Sequence, residues 1–123
     1  MKLVSACLLG IKCRYNGRSK ANTDVLKRAR KEILIPVCPE QLGGLSTPRR
    51  PSEKKGKRII MTSGRDVTRN FKKGAHKTLM IAKILKIKQA ILKENSPSCG
   101  RDGVTATLLR KNKIKIISER DIK

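Results

Sequence analysis

Three of the four cysteines stand at the ends of short apolar runs. Leu3-Val4-Ser5-Ala6 runs into Cys7, and Ile33-Leu34-Ile35-Pro36-Val37 runs into Cys38. Ala90-Ile91-Leu92-Lys93 leads through Glu94-Asn95-Ser96-Pro97-Ser98 to Cys99. Runs of Leu and β-branched residues that stop in Gly- or Pro-containing loops read as buried strands. If these strands are parallel neighbours, the thiols share one rim of a sheet, the rim at which open α/β sheets bind ligands. Soft thiolates select zinc, copper or iron–sulfur clusters. Three of them on three strand ends can hold a cluster and leave one metal open to substrate. Packing as small buried hydrophobes and reactive thiol chemistry stay open on spacing alone. No Cys-x-x-Cys occurs to support a zinc ribbon or a thioredoxin-like site. Cys13 differs: Lys12 and Arg14 flank it, their charge is expected to favour the thiolate, and a fourth ligand, a sulfur-handling thiol or no role all stay open for it.

Polar groups beside the thiols take expected roles. Glu40, two residues past Cys38, is a candidate general acid or base, or a surface carboxylate paired with a lysine. Ser96 and Ser98 flank Cys99 and suit hydrogen bonds to sulfur or substrate, or the turn that Pro97 imposes. Arg14, Arg49 and Arg50 fall in loops near the expected rim, and arginine suits phosphate. His76, the one histidine, lies between lysines on an expected helix and reads as a surface residue.

The elements that must position these groups alternate. Strands are expected at 2–7, 33–38, 88–93 and 114–117, with an edge or antiparallel strand at 58–62. Helices are expected at 23–32, capped by Asn22 or Thr23, at 66–86, and at 103–112 with Asp102 as its cap. In the first helix Val25, Leu26 and Ala29 form the apolar stripe; in the second, Val67, Phe71, Gly74, Ala75, Thr78, Ala82 and Leu85 do. Residues 39–57 carry three prolines and three glycines and read as a long irregular loop without helix or central strand. The alternation predicts a single α/β domain over 1–123, a small and mostly parallel sheet covered by helices in a Rossmann-like or flavodoxin-like three-layer arrangement.

Composition sets outer bounds. A chain of 123 residues with one Tyr, one Phe and no Trp must build its core from Ile, Leu, Val and Ala. No stretch reads as a membrane span or a secretory signal, so a cytoplasmic protein is expected, in which cysteines serve as ligands or reactive groups rather than disulfides. The formal charge of +22 attracts anions, nucleotides and nucleic acid among them, although lysines scattered over every surface give the same charge with no nucleic-acid function.

Taken together, Val4-Ser5-Ala6-Cys7-Leu8-Leu9-Gly10, Cys13-Arg14-Tyr15-Asn16-Gly17, Pro36-Val37-Cys38-Pro39-Glu40-Gln41-Leu42-Gly43-Gly44-Leu45, Thr47-Pro48-Arg49, Gly64-Arg65-Asp66-Val67-Thr68 and Ser96-Pro97-Ser98-Cys99-Gly100 resemble the DUF523 family, in the family's order and over almost the whole chain. That family includes thiouracil desulfidases, which use a [4Fe-4S] cluster held by three cysteines. The resemblance implies Cys7, Cys38 and Cys99 as ligands, one open iron, Cys13 as an accessory thiol, and hydrolytic exchange of C=S for C=O on a thiolated pyrimidine or its nucleotide. Glu40 becomes the implied carboxylate, with Ser96 and Ser98 beside it and Arg14 and Arg49 for a substrate phosphate. Two departures stand out. The family's Tyr-Asp-Gly and Gly-rich stretch after the Cys99 loop is missing, which shortens the implied site wall, and Asn16 replaces its usual Asp. Two other readings compete: a basic RNA-binding α/β module with structural or zinc-bound cysteines, and a metal-free thiol or persulfide enzyme.

Overall fold

A computed structural model of the chain describes residues 1–122. Its centre is a four-stranded parallel sheet in the order β2-β1-β5-β6, built from β1 (Lys2–Ser5), β2 (Leu34–Val37), β5 (Gln89–Leu92) and β6 (Lys115–Ser118). Helices α1 (Thr23–Ala29), α3 (Thr68–Ile84) and α4 (Val104–Lys111) cover it. From β1 the chain crosses outward to β2, then returns past β1 to β5 and on to β6. Right-handed crossovers in opposite directions put α1 on one face and α3 with α4 on the other. The three expected layers are present.

Side-chain alternation builds the two cores. Leu3, Ala90 and Leu92 pack with Leu79, Ala82, Ala106 and Leu109 on the α3–α4 side, while Val4 and Ile91 pack with Val25 and Ile122 on the α1 side. Asn22 caps α1, its Oδ1 accepting from the Val25 N–H at 3.0 Å. Ala29 and Leu26 of its expected stripe are exposed; Val25 alone in α1 is buried.

Three further expectations need correction. Residues 39–57 are not uniformly irregular: they hold the short helix α2 (Pro39–Leu42) and the strand β3 (Ser52–Lys55). Pro39 occupies the first helical position, where a missing N–H costs nothing. Strand β3 pairs antiparallel with β4 (Arg58–Met61) in a separate two-stranded sheet. Asp102 does not cap α4; Gly103 occupies that position, and a Cβ there would stand 2.4 Å from the Ser98 carbonyl oxygen. Leu85 lies past the end of α3 and is exposed, whereas Leu79 is buried instead. Among the described residues, no helix is long and apolar enough to cross a membrane.

Candidate functional site

The carboxyl ends of β1, β2 and β5 open onto one cavity of about 140 Å³. Cys7, Cys13, Cys38 and Cys99 all line it, and none is in a disulfide. It lies where the chain's course reverses between β1 and β5, the switch point at which such sheets bind ligands.

Each thiol is delivered by different local chemistry. Cys7 lies in a 3-10 turn (Ala6–Leu9) directly after β1, closed by Gly10 at φ 94°. Cys38 occupies the N-cap position of α2, and its Sγ donates to the Cys13 carbonyl at 3.7 Å. Cys99 ends a turn in which Ser96 Oγ accepts from the backbone N–H groups of Ser98 and Cys99, at 3.2 and 3.1 Å. Gly100 completes that turn, since a Cβ there would meet the Ser96 carbonyl oxygen at 2.6 Å.

Helix α3 presses the α2 segment into place. A Cβ on Gly74 would fall 1.8 Å from the Pro39 carbonyl oxygen, and Asn70 Nδ2 donates to the Gly43 carbonyl at 2.9 Å. The small residue at 74 thus lets α3 approach the backbone beside Cys38 and Glu40 closely.

Glu40 and Arg49 form a nearly buried ion pair, Nε to Oε1 at 3.1 Å. The rest of the Arg49 guanidinium is occupied within the protein: Nη1 donates to the Ser46 carbonyl and Thr47 Oγ1, and Nη2 to the Cys13 carbonyl. Four of its five N–H groups therefore have internal partners. Glu40 Oε2 faces Ser98 Oγ at 3.5 Å, and that hydroxyl also reaches Cys99 Sγ at 3.7 Å. Arg14 lines the cavity with its guanidinium over the Tyr15 ring, 5.7 Å from the centroid. Ser96 and Ser98 line it too. Arg50 is exposed and outside the lining, and His76 is exposed on α3.

The thiols differ in acidity. A hydrogen bond from Cys13 lowers Cys7 below its ordinary value. Cys38 is raised, first by its bond with Cys13 and then by burial. Burial pushes Cys99 up to about 11 against hydrogen bonds from Ser5 and Ser98. Cys13 corrects an expectation. A bond from Cys38 would lower it, but its own bond to Cys7, burial and the Cys7 charge push it up to about 11, so Lys12 and Arg14 do not make it a thiolate. That thiol is 3% exposed.

Ser5, Tyr15, Lys93 and Asn95 also line the cavity and were not singled out from sequence. Ser5 Oγ accepts from the Lys93 N–H at 2.9 Å and so ties the ends of β1 and β5 together. Lys93 Nζ donates to the Glu94 carbonyl at 2.7 Å and faces Glu119 Oε2 at 3.7 Å. Its place directly after β5, at the strand end that opens onto the cavity, was the available signal.

The donor set fits a polynuclear cluster better than a single ion. Among the described residues, no three His, Cys, Asp or Glu side chains converge as they do around one zinc. The thiols instead ring a cavity, as they must when each binds a different iron. Hydroxyl donors on Cys99 and the Arg49 charge near Cys38 offset part of the burial that raises both thiols, and Cys7 is held below its ordinary value.

Comparison with known proteins agrees with this geometry. Residues 3–121 match the model of a family described as 2-thiouracil desulfurase. A Bacillus subtilis (strain 168) protein, named uncharacterized protein YbbK, is 41% identical over 147 positions, covering 99% of this chain and 97% of that one. That alignment is longer than the 123-residue chain, so the relative carries residues that this chain lacks. The solved structure of TudS, described as a [4Fe-4S]-dependent thiouracil desulfidase, superposes with a TM-score of 0.93 at 37% identity, covering 98% of this chain and 91% of that one.

Proposed function

This chain belongs to the 2-thiouracil desulfurase family, and we propose that it removes sulfur from a thiolated pyrimidine, free or as its nucleotide, with Cys7, Cys38 and Cys99 holding a [4Fe-4S] cluster. One observation carries the reading: three thiols from the ends of three adjacent parallel strands line one cavity at the sheet's switch point. The cluster, when bound, supplies an iron without a protein ligand as Lewis acid and sulfur acceptor.

The overall exchange is hydrolytic. Water adds its oxygen to the thiocarbonyl carbon, the C–S bond breaks, and sulfur leaves as hydrogen sulfide with both protons of the water, so no external electrons are needed. The chain's own residues supply the proton handling. Arg49 fixes Glu40 Oε1, which leaves Oε2 turned toward Ser98 and available to take a proton from water. Ser98 and Ser5 hold Cys99 by hydrogen bonds, and Ser96 sets the turn that carries Ser98 and Cys99. Among the cavity's cations, Arg49 and Lys93 already have internal acceptors, which leaves the Arg14 guanidinium for a substrate phosphate. The Cys13 carbonyl accepts from both Cys38 and Arg49, so Cys13 contributes to placing its neighbours.

Turnover of 2-thiouracil in water enriched in oxygen-18 tests the reading. Uracil heavier by two mass units, released together with sulfide, is expected; sulfide release with unlabelled product contradicts the hydrolytic exchange.

A further inference from the structure

Away from the thiol cavity, a larger groove of about 570 Å³ lies between the β3–β4 hairpin and helices α3 and α4. Three elements send lysines into it: Lys54 and Lys57 from the hairpin, Lys72 from α3, and Lys111 from the last turn of α4. Its floor is apolar, formed by Ile59, Val104 and Leu108. Among the described residues, no carboxylate lines it.

The lack of counter-charge has structural causes. Glu53 is next to Lys54 on β3, and strand alternation turns it to the opposite face of the hairpin. Asp66 closes on Arg58, and Glu119 on Lys93. Lys54 Nζ donates to the Asp102 backbone carbonyl at 2.7 Å, which anchors the hairpin beside the start of α4. Lys57, Lys72 and Lys111 form no salt bridge among the described residues. Four ammonium groups around one concavity repel one another, and that repulsion is relieved by a ligand with several negative charges.

We propose that this groove binds single-stranded nucleic acid, with the lysines on successive phosphates and the apolar floor beneath unpaired bases. A phosphodiester chain carries one charge per nucleotide whatever its sequence, which suits cations delivered by three separate elements. A lysine is a point charge well matched to phosphate. The floor selects single strands, because a duplex keeps its base faces stacked internally. Ile, Val and Leu offer no stacking platform, so binding is backbone-dominated, sequence-tolerant and steeply salt-dependent.

The test is fluorescence anisotropy of the full chain with a labelled oligouridylate of about 15 nucleotides, titrated at several salt concentrations. Four phosphate contacts give a slope of log K against log salt of about −3, at roughly −0.7 per contact. The variant Lys54→Gln/Lys57→Gln/Lys72→Gln/Lys111→Gln is expected to bind at least about tenfold more weakly, with most of that slope gone. A second variant with the same net charge, Lys27→Gln/Lys31→Gln/Lys83→Gln/Lys88→Gln, is expected to stay within about twofold of the unaltered chain. Equal weakening in both variants, or none in either, overturns the groove and leaves net charge as the cause. Displacement by poly-glutamate as readily as by unlabelled oligouridylate overturns nucleic acid as the ligand. Ultraviolet crosslinking of the unaltered chain to the same oligonucleotide needs no variant to fold: adducts on the hairpin, α3 or α4 peptides support the groove, and adducts confined elsewhere overturn it.

Discussion

Arg49 donates from Nε to Glu40 Oε1 at 3.1 Å, and the same guanidinium donates from Nη2 to the Cys13 carbonyl at 3.1 Å. One side chain, 3% exposed, thereby joins α2 to the loop that follows Cys7, two segments that share no strand pairing. Sequence reasoning assigned Arg49 to a substrate phosphate; its internal partners make it a strut.

Removing that strut is costly. Arg49→Ala leaves Glu40 without its cation and the Cys13 carbonyl short of a donor. Breaking a largely buried pair this way costs about 3 kcal/mol. Arg49→Lys keeps the charge but loses the planar fork, so its loss falls between Ala and the native residue. Urea midpoints at equal denaturant slope read both losses directly, and an Arg49→Ala chain as stable as the parent would show the pair to be unimportant.

Glu40→Gln isolates proton transfer from architecture. The amide oxygen still accepts from Arg49 Nε, so the fold and the thiol ring persist. Loss of a general base lowers kcat by about 10²- to 10⁴-fold. Iron content should match that of the parent chain. A kcat within about twofold of the parent would take Glu40 out of the reaction.

Gly74→Ala sets two effects against each other. Alanine gains about 1 kcal/mol of helix propensity in α3. The new Cβ, however, would lie 1.8 Å from the Pro39 carbonyl oxygen, which is backbone and cannot swing aside. Overpacking of this kind costs about 1–3 kcal/mol and moves the segment that carries Cys38 and Glu40. Thermal unfolding should show net destabilisation, and a higher Tm would refute the close approach.

Alkylation of the metal-free chain separates exposure from acidity. Cys38 is the most exposed of the four thiols, yet its pKa is raised; Cys7 is buried, yet its pKa is lowered. Because the thiolate is the nucleophile, Cys7 should react before Cys38 and Cys99 with iodoacetamide at neutral pH. Modification of Cys99 should keep rising with pH toward its value of about 11. Peptide mass mapping over a time course gives the order, and Cys38 reacting first would show that access outweighs acidity.

The fold was legible where apolar runs carry it. Leu3-Val4, Leu34-Ile35, Ala90-Ile91-Leu92 and Ile116-Ile117 mark all four strands of the central sheet, and three thiols at or beyond the ends of such strands pointed to one rim. Strand β3 was hidden because Ser52-Glu53-Lys54-Lys55 has no apolar residue; pairing with β4 makes it a strand. Helix α2 was hidden because Pro39 reads as a breaker unless its N1 position is known. The tie from Arg49 to Cys13 spans 36 positions, and nothing local marks it. The protonation of Cys13 was misread for the same reason: adjacent Lys12 and Arg14 suggested thiolate, while burial and Cys7 decide otherwise.

Iron and acid-labile sulfide analysis after anaerobic purification and reconstitution tests the central claim most directly, run on the parent chain and on Cys7→Ala, Cys38→Ala, Cys99→Ala and Cys13→Ala. The account predicts about four irons and four sulfides per chain, lost in each of the first three variants and retained in Cys13→Ala. No iron in the reconstituted parent, or full iron in any one of the Cys7, Cys38 or Cys99 variants, would contradict it.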